Sequence, residues 1–96
     1  MAAYVIAHID VSDPERYEDY KKLAFETVTK YGGKYLARGP KPDVLEGNWH
    51  PTRLVLLEFP SAAQARTWWE SPEYAPAKEI RKATTSKSEL VIIDGM

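Results

Sequence analysis

Arg53-Leu-Val-Leu-Leu-Glu-Phe59 is a run of strand-forming residues in which, from Leu54 on, odd and even positions alike are apolar, apart from Glu58. Successive side chains of a strand point to opposite faces, so this segment needs cover on both sides. The chain has 96 residues, enough for one domain and one helical layer. The second face is therefore expected to be closed by another copy of the chain.

Downstream, Pro60 ends the strand, and Ser61 with Gln64 forms a capping-box pattern ahead of a helix carrying Ala62, Ala65, Trp68 and Trp69. Ser71-Pro72 restarts the helical pattern, with Tyr74, Ala77, Ile80 and Thr84 on its inner side. The polar residues 85–89 read as a loop, and Leu90–Ile93 as the last strand. Upstream, residues 40–52 make a long connection containing Pro40, Pro42 and Pro51. It includes a short strand expected at Val44-Leu45-Glu46 and a tip at Gly47-Asn48-Trp49-His50. Lys34–Arg38 is a short strand closed by Gly39-Pro40.

At the start, Ala3–Ile9 reads as a strand. A helix follows, capped by Asp13 with Pro14 in its first turn, Ser12 with Glu15 being a competing register. Tyr17, Tyr20, Ala24, Thr27, Val28 and Tyr31 form its apolar stripe, and Gly32-Gly33 ends it as a cap rather than a phosphate cradle. The order is β-α-β-β-α-β with the second helix in two pieces. Right-handed crossovers turn it into a single ferredoxin-like α+β domain over residues 1–96, a four-stranded antiparallel sheet with its helices on one face.

Composition narrows the function classes. The chain is 44% hydrophobic and 28% charged with a net charge of −1, and has no long run of one sign, so neither a nucleic-acid nor a membrane partner is expected. It contains no cysteine, which excludes disulfides, thiolate metal sites and a thiol nucleophile. The first ten residues lack a basic segment, no apolar run has transmembrane length, and a cytoplasmic location is expected. No nucleophile elbow or Walker motif is present.

Parity assigns the two sheet faces. Val5, Ala7, Ile9, Tyr35, Ala37, Val55, Leu57, Phe59, Val91 and Ile93 are expected to face the helices, with Arg53 at a strand entrance as the exception. Tyr4, Ile6, His8, Asp10, Leu36, Arg38, Leu54, Leu56, Glu58, Leu90, Ile92 and Asp94 are expected on the open face. An aliphatic patch of that kind marks an interface, here a two-fold homodimer through the open face. Burial of Ile6, Leu36, Leu54, Leu56, Leu90 and Ile92 would contribute on the order of 10 kcal/mol before association costs.

The segments Y-V-I-A-H-I-D-V-S-D-P-E-R-Y, K-Y-G-G-K-Y-L-A-R-G, V-L-E-G-N-W, R-L-V-L-L-E-F-P-S and W-W-E-S-P-E-Y, with Arg81 following, resemble the domain of unknown function 1330 family over essentially the whole chain. The resemblance implies membership of the dimeric α+β barrel superfamily, in which ferredoxin-like sheets pair into a barrel. That superfamily holds cofactor-free monooxygenases, small isomerases, haem-handling proteins and proteins without known activity, so the fold alone does not assign a function.

Three side chains form the sharpest chemical constellation: His8, Arg38 and Glu58, all expected on the open face near strand ends. An imidazole beside a carboxylate can move a proton, and a guanidinium can hold an anionic or enolate oxygen. The competing reading is an Arg38–Glu58 ion pair in the interface with His8 hydrogen-bonded beside it. Asp10 either orients His8 or enters the helix. Trp49 and Arg53, on or beside the long loop, suit either a pocket flap or a partner-packing arm. Tyr4, Asp10, Trp49, Arg53, Trp69 and Tyr74 complete the expected small-molecule site, while one of Trp68 and Trp69 must point away from the core. Arg81, on the third helical segment, either reaches a ligand acid group or, the favoured reading, is a solvated helix arginine. No metal site or cofactor is expected, because His8 and His50 are far apart and lack clustered ligands. Haem rests on superfamily analogy alone. The sequence thus points to a small-molecule-binding protein or cofactor-free enzyme acting by proton transfer or oxygenation, the alternative being a non-catalytic homodimer.

Overall fold

Alternate residues of the first strand, β1 (Ala3–Val11), are buried from Ala3 to Ile9, as its apolar alternation predicts. In the computed structural model, which describes residues 2–39 and 41–96, β1 is followed by α1 (Pro14–Lys30), β2 (Lys34–Arg38), β3 (Leu54–Phe59), α2 (Ala62–Glu70), α3 (Ala75–Thr84) and β4 (Thr85–Asp94). The four strands form one antiparallel sheet in the order β2-β3-β1-β4, the ferredoxin-like arrangement.

The helices begin where the caps require. Asp13 accepts from the Arg16 amide at 3.2 Å, with Pro14 in the first turn. Ser61 accepts from the Gln64 amide at 3.1 Å, while the Gln64 side chain donates to the Tyr31 carbonyl at 2.9 Å instead of closing the box. Ser71 ends α2, donating to the Trp68 carbonyl at 2.7 Å, and its hydroxyl accepts from the Tyr74 amide at 3.1 Å. The helical restart therefore falls at Ala75, later than Ser71-Pro72. Gly32 takes a positive φ of 84° at the end of α1.

The core lies between sheet and helices. Val5, Ile9, Leu57 and Phe59 meet Tyr17, Tyr20, Ala24 and Val28 of α1, together with Trp68, Tyr74 and Ala77. Trp68 is fully buried and donates from Nε1 to the Thr27 hydroxyl at 3.1 Å, joining α2 to α1. Trp69 is the outward member of the pair, with Lys78 Nζ 3.7 Å from its ring centroid.

Four expectations need correction. Residues 85–89 are strand, not loop, because Val11 to Ile9 pair with Thr85 to Ser88 and draw this polar edge segment into the ladder. The register of β4 sets Val5 opposite Ile92 and Ala7 opposite Leu90, so Leu90 and Ile92 face the helices while Val91 and Ile93 lie on the open face, about half exposed. Directly opposed residues share a face, and a shift of one residue reverses every side chain. A bulge between Tyr35 and Ala37 does the same within β2, setting Ala37 opposite Leu56 on the open face and Arg38 opposite Val55 on the helix face. Val44–Glu46 forms no strand, and Leu45 is almost fully exposed. The Pro40 half of the Gly39-Pro40 stop lies outside the described residues. Among those described, no helix is long and apolar enough to cross a membrane.

A Cβ at Gly33 would lie 2.6 Å from Phe59 Cε1 and 2.9 Å from Val28 Cγ1, both on fully buried side chains. Gly33→Ala is expected to destabilise the fold by about 1–3 kcal/mol in urea unfolding, the usual cost of overpacking. A midpoint equal to wild type would show that Phe59 yields without cost.

Candidate functional site

The side chains expected to act together are distributed over two faces. His8 and Glu58 do share the open face, but Glu58 pairs with Tyr4 and His8 with Leu54. Four residues of strand separate the two, roughly 13 Å. Glu58 instead accepts from Lys34 at 3.1 Å. Arg38 lies on the opposite face, over the Tyr35 ring at 5.1 Å. Within one subunit the trio is therefore neither a constellation nor an Arg38–Glu58 ion pair: strand register separates His8 from Glu58, and the β2 bulge turns Arg38 to the other face.

His8 has a different set of neighbours. Trp49 Nε1 donates to His8 Nδ1 at 3.4 Å, with the two rings edge to face. Glu89 approaches the same Nδ1 at 3.5 Å, and Asp10 lies 3.9 Å from Nε2. Trp49 requires a lone pair on Nδ1, whereas Glu89 favours a proton there, so the two compete for one nitrogen. Asp10 also accepts a hydrogen bond from the Thr52 hydroxyl. Tyr4 stands between Glu58 and Ile93 on the open face.

A second group of polar side chains lies between the sheet and the helices. Tyr17 and Tyr20, one turn apart on α1, stack at 5.1 Å and join Tyr35 and Trp68 around a small inner pocket of about 30 Å³. Lys21, Arg38 and Arg53 also line it, and no carboxylate does among the described residues. Arg53 lies over the Tyr17 ring at 5.4 Å. With Ile9 and Tyr17 it forms the wall shared with an outer cleft of about 300 Å³ between β1, the start of α1 and Thr52. Trp68 and Leu90 separate the inner pocket from a further cleft of about 270 Å³ against Ala65, Trp69 and Ile92.

Behind the inner pocket runs a chain of buried polar groups. The Tyr20 and Tyr74 hydroxyls are 2.8 Å apart, and Arg81 Nη1 donates to the Tyr74 oxygen at 2.6 Å. Arg81 is 5% exposed, so it is a core arginine and not the solvated residue expected. Its spacing was the available signal: Tyr74, Ala77, Arg81 and Thr84 recur at helical intervals and are all buried. Tyr17 and Tyr20 lie in the buried stripe of α1 that the sequence predicts, but spacing alone does not show that they line a pocket. Among the described residues, no group of three or more His, Asp or Glu side chains is arranged to hold a metal ion.

Burial governs the acid–base character of these phenols, because a phenolate would lose its hydration. It pushes Tyr17 up to about 12, against the opposing charges of Arg53 and Arg81. Burial likewise raises Tyr35 and Tyr74, and a hydrogen bond to Glu73 raises Tyr31.

Fold and pocket together define a ferredoxin-like domain with a phenol-lined cavity under its sheet. The chain belongs to the family described as Domain of unknown function (DUF1330), whose model matches residues 2–96. No curated protein matches it. A protein of unknown function from Rhodopseudomonas palustris has a similar structure, with a TM-score of 0.81 at 20% identity over 99% of this chain and 82% of that one. A dimeric ferredoxin-like protein of unknown function from Jannaschia sp. gives 0.75 at 13% identity over 100% and 99%. SnoaB, a cofactor-independent oxygenase from Streptomyces nogalater, gives 0.67 at 12% identity over 99% and 92%.

A phenol kept neutral by the fold stabilises it fully below its unfolded value near 10.0, and that contribution is lost as pH rises toward the folded value. Stability is thus expected to fall from pH 10 toward about 12, with Tyr17, Tyr35 and Tyr74 remaining protonated while the chain stays folded. Tyrosinate absorbance checks this. All six tyrosines ionising together near 10 in the folded protein would contradict it.

Proposed function

We propose that this protein is a homodimer, paired through the open sheet face, whose subunits each bind a small molecule in the inner pocket and act on it by cofactor-free proton transfer or oxygenation. The observation that carries this reading is the pocket itself: aromatic walls from Tyr17, Tyr20, Tyr35 and Trp68 under Lys21, Arg38 and Arg53. Arg38 keeps the anion-anchoring role expected for it, now on the helix side with Arg53. The likeness to a cofactor-independent oxygenase supports the chemical class.

Dimerisation has separate support. Ile6, Leu54 and Leu56 sit on the open face beside the half-exposed Val91 and Ile93, and a contiguous apolar face of this kind is an interface. His8, with Asp10, Glu89 and Trp49 around it, then belongs to the dimer face, and any proton transfer by His8 takes place there rather than in the inner pocket. A non-catalytic binding dimer is the second reading, favoured by the small enclosed volume of about 30 Å³.

Three measurements test the proposal. Sedimentation at low micromolar concentration is expected to give a dimer, and Leu56→Asp a monomer; a monomeric wild type would remove the dimer. In a thermal-shift screen of small polar and aromatic metabolites, hits are expected to weaken in Arg38→Ala and Arg53→Ala but to persist in His8→Ala. Hits unchanged in both arginine variants would move the site elsewhere. Oxygen uptake or isomerisation with a confirmed hit separates the enzyme from the binding protein.

A further inference from the structure

We infer that the inner pocket takes a small planar organic anion, whose charged oxygen docks on the Tyr20 hydroxyl at the end of a hydrogen-bond chain anchored by Arg81. This rests on the reading of the inner pocket as the ligand site.

A guanidinium remains protonated at any pH the fold survives, and a buried cation ordinarily has an anionic partner. Arg81 has none: among the described residues its one side-chain hydrogen bond goes to the neutral Tyr74 oxygen, and its Nε is buried without a partner. Burial holds the Tyr74 phenol protonated, so Tyr74 does not supply the counter-charge. The positive charge is therefore relayed and not neutralised. With Arg81 donating to Tyr74, Tyr74 can donate in turn to Tyr20, leaving the Tyr20 O–H free to donate into the pocket that it lines. An anion in the pocket selects that direction of the chain, because each donor then points toward negative charge.

The rim adds to the same field. Glu18, the one carboxylate on the outer cleft among the described residues, is paired with Lys21 at 2.7 Å and also feels the charge of Arg53. Arg38 shares an outer groove with Glu18 and Glu26, and neither arginine makes a salt bridge with a carboxylate among the described residues. Shape gives the rest of the class. The enclosed space of about 30 Å³ admits an oxygen-bearing head group, and the ring extends into the outer cleft of about 300 Å³ once the Arg53 side chain on the shared wall swings aside. Stacked Tyr17 and Tyr20 make a flat wall that a planar body fits. An aromatic carboxylate or an enolate has this form.

Calorimetric titration with benzoate and salicylate, against the neutral isosteres benzamide and salicylamide, tests the inference. The carboxylates are expected to bind more tightly by about tenfold or more, the usual worth of a hydrogen bond to a charged group. Tyr20→Phe keeps the ring and is expected to abolish that preference, bringing carboxylate affinity down to that of the amides. The Arg81 Nε–H resonance of the wild-type protein is expected to shift with benzoate and not with benzamide, a readout that needs no variant. Equal affinity for acid and amide would overturn the anion and leave the pocket standing. Binding of neither series would remove the pocket reading, and this inference with it.

Discussion

β1 is hydrogen-bonded on both sides, and its register against β3 and β4 is the constraint on which the rest of the molecule depends. Val5 stands opposite Leu57 on one side and Ile92 on the other, and Ala7 opposite Val55 and Leu90. Those pairs commit one face of the sheet to the helices. Once the face is committed, α1 must present Tyr17, Tyr20, Ala24 and Val28 to it, and Trp68 must enter between α1 and the strands. The alternative register would bury His8 and Glu58 against the helices and expose Val5 and Leu57, which the loss of apolar burial forbids.

The same constraint sorts the polar chemistry into two places. His8, Asp10, Glu58 and Tyr4 are held on the open face, where Trp49, Thr52 and Lys34 pair with His8, Asp10 and Glu58 respectively. The phenols and arginines are held on the closed face. There Tyr20, Tyr74 and Arg81 answer one another in a line, a buried polar group being tolerated only when hydrogen-bonded. Arg81 Nε and Ser88 Oγ are the exceptions among the described residues, and Arg81 is a buried cation that makes no salt bridge with any of them. The two polar clusters lie on opposite sides of the sheet, so phenols and guanidinium groups line the inner pocket and the His8 imidazole does not.

Much of the fold was legible from the chain. The Asp13 and Ser61 caps, the stripe of α1 and the need for one of Trp68 and Trp69 to point outward all follow from local rules of spacing and capping. The site was less so. Arg81 falls on the buried spacing of Tyr74, Ala77 and Thr84, but arginine is so often solvated that spacing alone does not mark it as buried. Thr85-Ser-Lys-Ser-Glu89 has poor intrinsic strand propensity and became strand only because β1 offered it an edge to pair with.

The amino-acid sequence by itself determined the element order, the caps and the existence of two apolar sheet faces, because each depends on residues a few positions apart. Which residue belongs to which face was decided only in the tertiary structure. The pairing of Ala3 with Asp94 shifts the parity of β4 relative to β1, and one bulge after Tyr35 turns Arg38 from the open face to the pocket. Side chains on a strand repeat every two residues, so a single-residue offset reverses a face while leaving the local sequence pattern unchanged. That offset is set by long-range hydrogen bonds, and it places the arginines beside the phenols.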